Sequence, residues 1–381
     1  MSLKVLLIIL IVLISVCVSL FVSVIWIKLR QARKAAQRSR DIKIIRPFLH
    51  KLFAAENVDF FKHNKKVLVK LAVVLKGKAS LQTLEDMLLE ILEYGDGQKK
   101  VRACTIAKYF SFPEKSLVMI KERLTGNIAT GCRKAGLYRY EDAVGDILKA
   151  LHIFSSEVQL QALMALARIG DAAAMVQAFD KIHRLILINE RAVYEVLNTF
   201  TGDRYELYKR MIHHQSDYLI HLFLKAIDED IASRLIDDII AVTKNGGMEL
   251  LLTQLVAIGK SGDHKKIPLL VKALQDKNWE IRAMAAKTLG VLTGPEAIKP
   301  LVAAARDGEW WVRQNAVTSI LAYPDCDKIL AVIAKSGDKY AFDSMLYAIG
   351  KADRPELLAK INEAWPAKPK RADIKHTMVS G

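Results

Sequence analysis

His214, Asp217 and His221 are spaced three and seven positions from the first. On a helix those positions share a face, and two imidazoles with a carboxylate can hold a metal ion. The spacing fits a plain polar helix face equally well. His213 lies beside them. Further on, Asp228, Glu229, Asp230, Asp237 and Asp238 form an acidic run with no His or basic partner at ligand spacing. That run reads as a solvated face or a docking patch for a basic partner. "AIGKSGD" (257–263) contains Gly-Lys-Ser, the end of a phosphate-binding loop. Such a loop needs a glycine five positions before Gly259, where Gln254 stands. Its echo "IAKSGD" (333–338) marks both stretches as turns between helices. Cys17, Cys104, Cys132 and Cys326 are scattered and show no CxxC spacing, so neither a disulfide framework nor a zinc site is suggested. The expectation is a chain without metal, cofactor or catalytic residues.

The element that positions everything else stands at the N-terminus. Residues 5–27, VLLIILIVLISVCVSLFVSVIWI, carry no charge. A helix of that length reaches ~34 Å, enough to cross a hydrocarbon core of ~30 Å. In lipid a single segment can satisfy its backbone hydrogen bonds only as a helix. Trp26 lies at the end of the run, where an amphipathic ring prefers the headgroup level. A cleaved signal peptide would have a shorter apolar core and a small-residue cleavage site. Ser15, Ser19 and Ser23 recur every four residues and form a stripe of small side chains, suited to packing against another transmembrane helix or to bonding back to their own carbonyls.

The net charge is +16, and nearly all of it falls in residues 1–135. Lys28, Arg30, Arg33, Lys34, Arg38, Arg40, Lys43 and Arg46 follow the apolar run, against a single Asp41. Such asymmetry places the C-terminal side in the cytoplasm and suits contact with an anionic lipid surface. Residues 136–381 are nearly balanced, which argues against a nucleic-acid partner.

The body of the chain repeats. "DKNWEIRAMAAKTLG" (276–290) and "DGEWWVRQNAVTSIL" (307–321) align at 31 residues. Asp276 matches Asp307, Trp279 matches Trp310, and Arg282 matches Arg313. "IPLLVKALQD", "IKPLVAAARD" and "ILAVIAKSGD" end in Asp276, Asp307 and Asp338 at the same step. "VQLQALMALARIGD" (158–171) and "VRACTIAKYFSF" (101–112) look like worn copies. Two apolar-periodic helices per unit of about 30 residues predict an all-α solenoid, because one helix pair cannot bury its apolar face alone. Helix starts recur as Ser-Phe-Pro-Glu (111–114), Thr-Gly-Pro-Glu (293–296) and Asp-Arg-Pro-Glu (353–356).

At these residues the chain resembles bacterial HEAT repeats of the short, phycobilin-lyase-like type. The resemblance is firm over about 245–340 and degenerate over about 50–245. It implies an inter-repeat ladder of Arg282 and Arg313 with Asp276, Asp307 and Asp338. Trp311, out of phase with Trp279, is the candidate for partner contact; both tryptophans of the pair equally suit packing between repeats.

The expected organisation is a transmembrane anchor (1–27), a basic juxtamembrane helix or linker (28–46), degenerate helical repeats (47–245), regular HEAT-like repeats (246–364) and a flexible tail (365–381). The expected function is a non-enzymatic scaffold that binds a membrane-associated protein, with bacterial envelope or polysaccharide machinery implied by the resemblance alone. The alternatives are a lyase-like HEAT enzyme or cofactor-handling protein, and a nucleic-acid binder. The oligomeric state is left open.

Overall fold

The apolar run and the basic segment behind it form one helix, Leu3–Ala54, in the computed structural model. The structure describes residues 3–54, 60–75, 77–182 and 189–365. Residues 366–381, all of the expected tail but Trp365, lie outside them.

The Leu3–Ala54 helix has two environments. From Leu13 to Leu29 its large apolar side chains are exposed. Among the described residues it alone is long and apolar enough to cross a membrane. From Asp41 onward it changes character: Asp41, Ile45, Leu49 and Leu52 fall on one face and are buried. Asp41 accepts hydrogen bonds from Gln37 Nε2 and Ser80 Oγ, both at 3.1 Å. The end of the expected linker is therefore a rigid part of the fold. Ala, Gln, Arg and Lys between 28 and 40 leave the helix no reason to stop, and the apolar face beyond them continues it into the core.

The chain divides into two units, Met1–Leu187 with Thr199–Gly202, and Ile188–Asn198 with Asp203–Gly381. The boundary expected at 245 falls inside the second unit.

In the first unit, Ile45, Leu49 and Leu52 pack with Leu68, Leu71, Leu84, Leu88, Ile106 and Tyr138 in one core. Glu85 lies inside it. Its Oε1 accepts from Lys134 Nζ and from the Tyr138 hydroxyl, each at 2.9 Å. The paired charges and the third hydrogen-bonding group are what make the burial of Glu85 tolerable. Burial, followed by the neighbouring Glu85 carboxylate, pushes the Tyr138 phenol far above its ordinary value.

In the second unit, long helices alternate with short ones: Met248–Ser261, Ile267–Ala273, Trp279–Leu292, Ile298–Ala304, Trp310–Ile320, Cys326–Lys335, Lys339–Lys351 and Glu356–Ala364. All described secondary structure is helical. Asp203, Ser216, Asp228 and Asp338 cap helices by accepting backbone N–H bonds. The recurrent Pro-Glu starts also have a backbone signature. Ser111, Thr293 and Asp353, each two residues ahead of the proline, take left-handed φ values of 54°, 45° and 52°.

Equivalent helices meet at a glycine. Gly259 faces Thr288, Gly290 faces Ser319 and, in the first unit, Gly136 faces Ala165. Each partner lies 29 positions on. The worn repeats have lost their letters and kept this close approach.

Candidate partner-binding face

The helix Trp310–Ile320 opens with two tryptophans in its first turn. Their rings meet edge to face, with centroids 4.7 Å apart. Trp310 also meets Tyr347, on the helix Lys339–Lys351, edge to face at 5.8 Å. Tyr340 and Tyr347 are seven apart on that helix and so share a face. Tyr340 lies over the guanidinium of Arg313 at 5.4 Å. Trp310, Trp311, Tyr340 and Tyr347 remain 39, 55, 67 and 53% exposed. Exposed aromatic rings on neighbouring repeats give a large, stiff contact area with polar tips, the composition that dominates interface hot spots.

The turn that precedes Trp310 is part of a polar frame. Arg282 Nε and Nη2 each donate to Asp307 at 2.8 Å, and its Nη1 donates to the Asp276 carbonyl at 2.9 Å. Asp307 also accepts from the Glu309 N–H at 2.9 Å. Burial raises the Asp307 carboxyl, but the Arg282 fork, the Glu309 N–H and the nearby positive charges outweigh it, so its pKa is lowered. Arg282 is raised by the same hydrogen bonds.

Arg313 departs from the expected ladder. Among the described residues no ion pair joins it to Asp338. Its Nη1 donates to the carbonyls of Asp307 and Gly308, at 2.8 and 2.9 Å, while Tyr340 covers its plane. Asp338 is drawn off as a helix cap, accepting from Tyr340 and Ala341 N–H. Asp276 accepts from the Asn278 N–H at 2.8 Å. One ladder rung, Arg282–Asp307, thus joins successive repeats. Neutral bonds add to it: Asn315 Nδ2 to the Ala283 carbonyl at 2.9 Å, and Ser319 Oγ to the Ala286 carbonyl at 2.8 Å.

The histidine set does not converge. Ser216 caps the helix Asp217–Ala226, so His214 lies in the turn before it and the i, i+3, i+7 geometry fails. His214 Nδ1 accepts from the Ser216 N–H at 2.9 Å, and His221 Nδ1 lies 3.3 Å from Thr253 Oγ1. Asp217 is exposed. Among the described residues no three His, Cys, Asp or Glu side chains are placed to hold a metal ion.

Gly-Lys-Ser at 259–261 is the end of a helix. Lys260 Nζ donates to the Ile227 carbonyl at 2.7 Å and Ser261 Oγ to that of Ile258 at 2.7 Å. In the acidic run Asp228 is a cap, Asp230 pairs with Arg234 and Asp237 with Lys266.

On the N-terminal helix, Ser23 Oγ bonds back to the Ser19 carbonyl at 2.8 Å. Ser15 and Ser19 are exposed. Lys28, Arg30, Arg33, Lys34, Arg38 and Arg40 are all exposed too. Arg30 lies 5.2 Å from the Trp26 ring, and Arg38 pairs with Asp86 at 3.4 Å.

Trp311, the contact candidate in the sequence, is exposed and packs edge to face on Trp310, while Tyr340 and Tyr347, whose spacing of seven puts them on one helix face, extend the exposed aromatic surface. Trp365, the first residue of the expected tail, packs on Phe342 with ring centroids 4.1 Å apart.

The family described as HEAT repeats matches residues 251–322. Among solved structures, the complex of CpcE and CpcF of phycocyanin lyase from Nostoc sp. PCC7120 is similar at 16% identity, with a TM-score of 0.26, over 66% of this chain and 94% of that one. No curated protein matches the chain. Residues 251–322 are HEAT repeats, and all described secondary structure around them is helical.

Proposed function

We propose that the chain is a single-pass, membrane-tethered scaffold whose HEAT repeats bind a protein partner at the cytoplasmic membrane face, without catalysing a reaction. The observation that carries this reading is the exposed aromatic face of Trp310, Trp311, Tyr340 and Tyr347 on stacked repeats. The exposed apolar stretch of the Leu3–Ala54 helix supplies the tether, and the cations after it supply the orientation and a hold on anionic lipid. Tethering both molecules to one surface raises their effective concentration, so a modest face suffices.

Crosslinking in intact membranes tests the reading. The full chain captures a membrane-associated protein that a chain lacking residues 1–27 captures weakly or not at all. Equal capture by both chains, or none by either, ends the tethered-scaffold account. Stoichiometric metal in the purified chain, or DNA binding that falls steeply with salt, redirects it to an enzyme or a nucleic-acid binder.

A further inference from the structure

The first unit contains a cleft of about 650 Å³, a size typical of small-molecule sites. Every residue lining it belongs to that unit. Leu92, Val101 and Leu137 give it an apolar wall. Lys100, Lys108, Arg139 and Arg168 line it against two carboxylates, Glu93 and Glu141, and Glu93 is already taken by Arg133. Among the described residues no carboxylate pairs with Lys108 or Arg139.

Arg139 is held at a conformational cost. It ends the helix Thr125–Leu137 with φ at 51°, in the left-handed region. Its N–H bonds to the Gly136 carbonyl, and the Tyr140 N–H to that of Ala135, both at 3.0 Å. That closure favours glycine. At the ends of Ser156–Ile169 and Met248–Ser261 the chain places Gly170 and Gly262. Ser111, Thr293 and Asp353 take the same left-handed φ, so what sets Arg139 apart is its exposed side chain in the lining of the cleft. Cys104, in the same wall, reports where the charges act. Burial raises its thiol pKa, while Arg139 and then Lys108 pull it down. The two unpaired cations therefore bear on one spot.

We propose that this cleft binds a small organic phosphate, with the phosphate held by Arg139 and Lys108 and the apolar body resting on Leu92, Val101 and Leu137. An arginine fork beside a lysine point charge matches a dianionic phosphate better than a single carboxylate. The site is separate from the aromatic face and does not depend on the scaffold reading.

The test is calorimetric titration of the full chain, in zwitterionic micelles, with phenyl phosphate, inorganic phosphate and phenol. Phenyl phosphate binds saturably at one per chain, inorganic phosphate at least tenfold more weakly, and phenol not at all. Arg139→Gly weakens phenyl phosphate at least tenfold without lowering the melting temperature, which separates lost binding from lost folding. Lys108→Gln weakens it as well. Phenyl phosphate slows alkylation of Cys104, read by peptide mass spectrometry. Absence of saturable binding, equal binding of phenol, equal binding of inorganic phosphate, or unchanged affinity in Arg139→Gly overturns the proposal.

Discussion

Arg282 grips Asp307 through two hydrogen bonds of 2.8 Å each, from the first helix of one repeat to the turn that opens the next. Both side chains are largely buried, at 18 and 15% exposure. Removing one partner leaves the other's charge poorly compensated, which costs about 2–3 kcal/mol. Arg282→Ala therefore lowers the stability of the chain by about that amount in chemical denaturation. The pH dependence has a definite sign. The Asp307 pKa is lowered below its ordinary 3.8, so its contribution is complete above that value and disappears as pH falls through the folded value. Arg282→Ala flattens that acid limb.

The glycine contacts predict a ranking. A β-carbon at position 290 would lie 2.6 Å from Ser319 Cβ and 2.8 Å from its Cα, and one at 136 would lie 2.5 Å from Ala165 Cα. Backbone cannot yield cheaply, so Gly290→Ala and Gly136→Ala each destabilise by about 1–3 kcal/mol. At position 259 the obstacle is the Thr288 methyl at 3.0 Å, the end of a side chain. There a helix-propensity gain of up to about 1 kcal/mol offsets the crowding, and Gly259→Ala is close to neutral. Thermal melts of the three variants check the order.

The regular repeats were legible because Asp276, Trp279 and Arg282 recur with unchanged chemistry at Asp307, Trp310 and Arg313. The first unit was harder to read, since its packing at Gly136 and Ala165 needs only smallness, which leaves few letters to align. The His214 set misled because periodicity does not reveal that Ser216 starts a new helix. The Arg313–Asp338 rung failed because a cap competes for the same carboxylate. Adjacency across repeats, as between Trp310 and Tyr347, appears only once the helices are stacked.

Arg139→Gly relieves a left-handed strain. The gain is about 0.5–1 kcal/mol, offset in part by glycine's greater freedom in the unfolded chain. A chain that melts at a higher temperature after losing this arginine shows that the residue was not retained for stability.

The cations on the N-terminal helix differ among themselves. Lys28, Arg30, Arg33 and Lys34 are exposed with no carboxylate paired to them among the described residues, whereas Arg38 meets Asp86. Replacing Lys28, Arg30, Arg33 and Lys34 by Gln lowers attraction to anionic vesicles by about 1 kcal/mol per residue. The measurement is co-sedimentation with vesicles of increasing phosphatidylserine content. Arg38→Gln has the smaller effect.

The aromatic face is the account's centre, and a photo-crosslinking residue placed at Trp311 in intact membranes tests it most directly. Val118, 64% exposed in the first unit, serves as the comparison site. The expected result is one discrete protein adduct from position 311, none from 118, and loss of that adduct when Trp310→Ala and Tyr347→Ala are introduced together. The same adducts from both positions, or none from 311, contradict it.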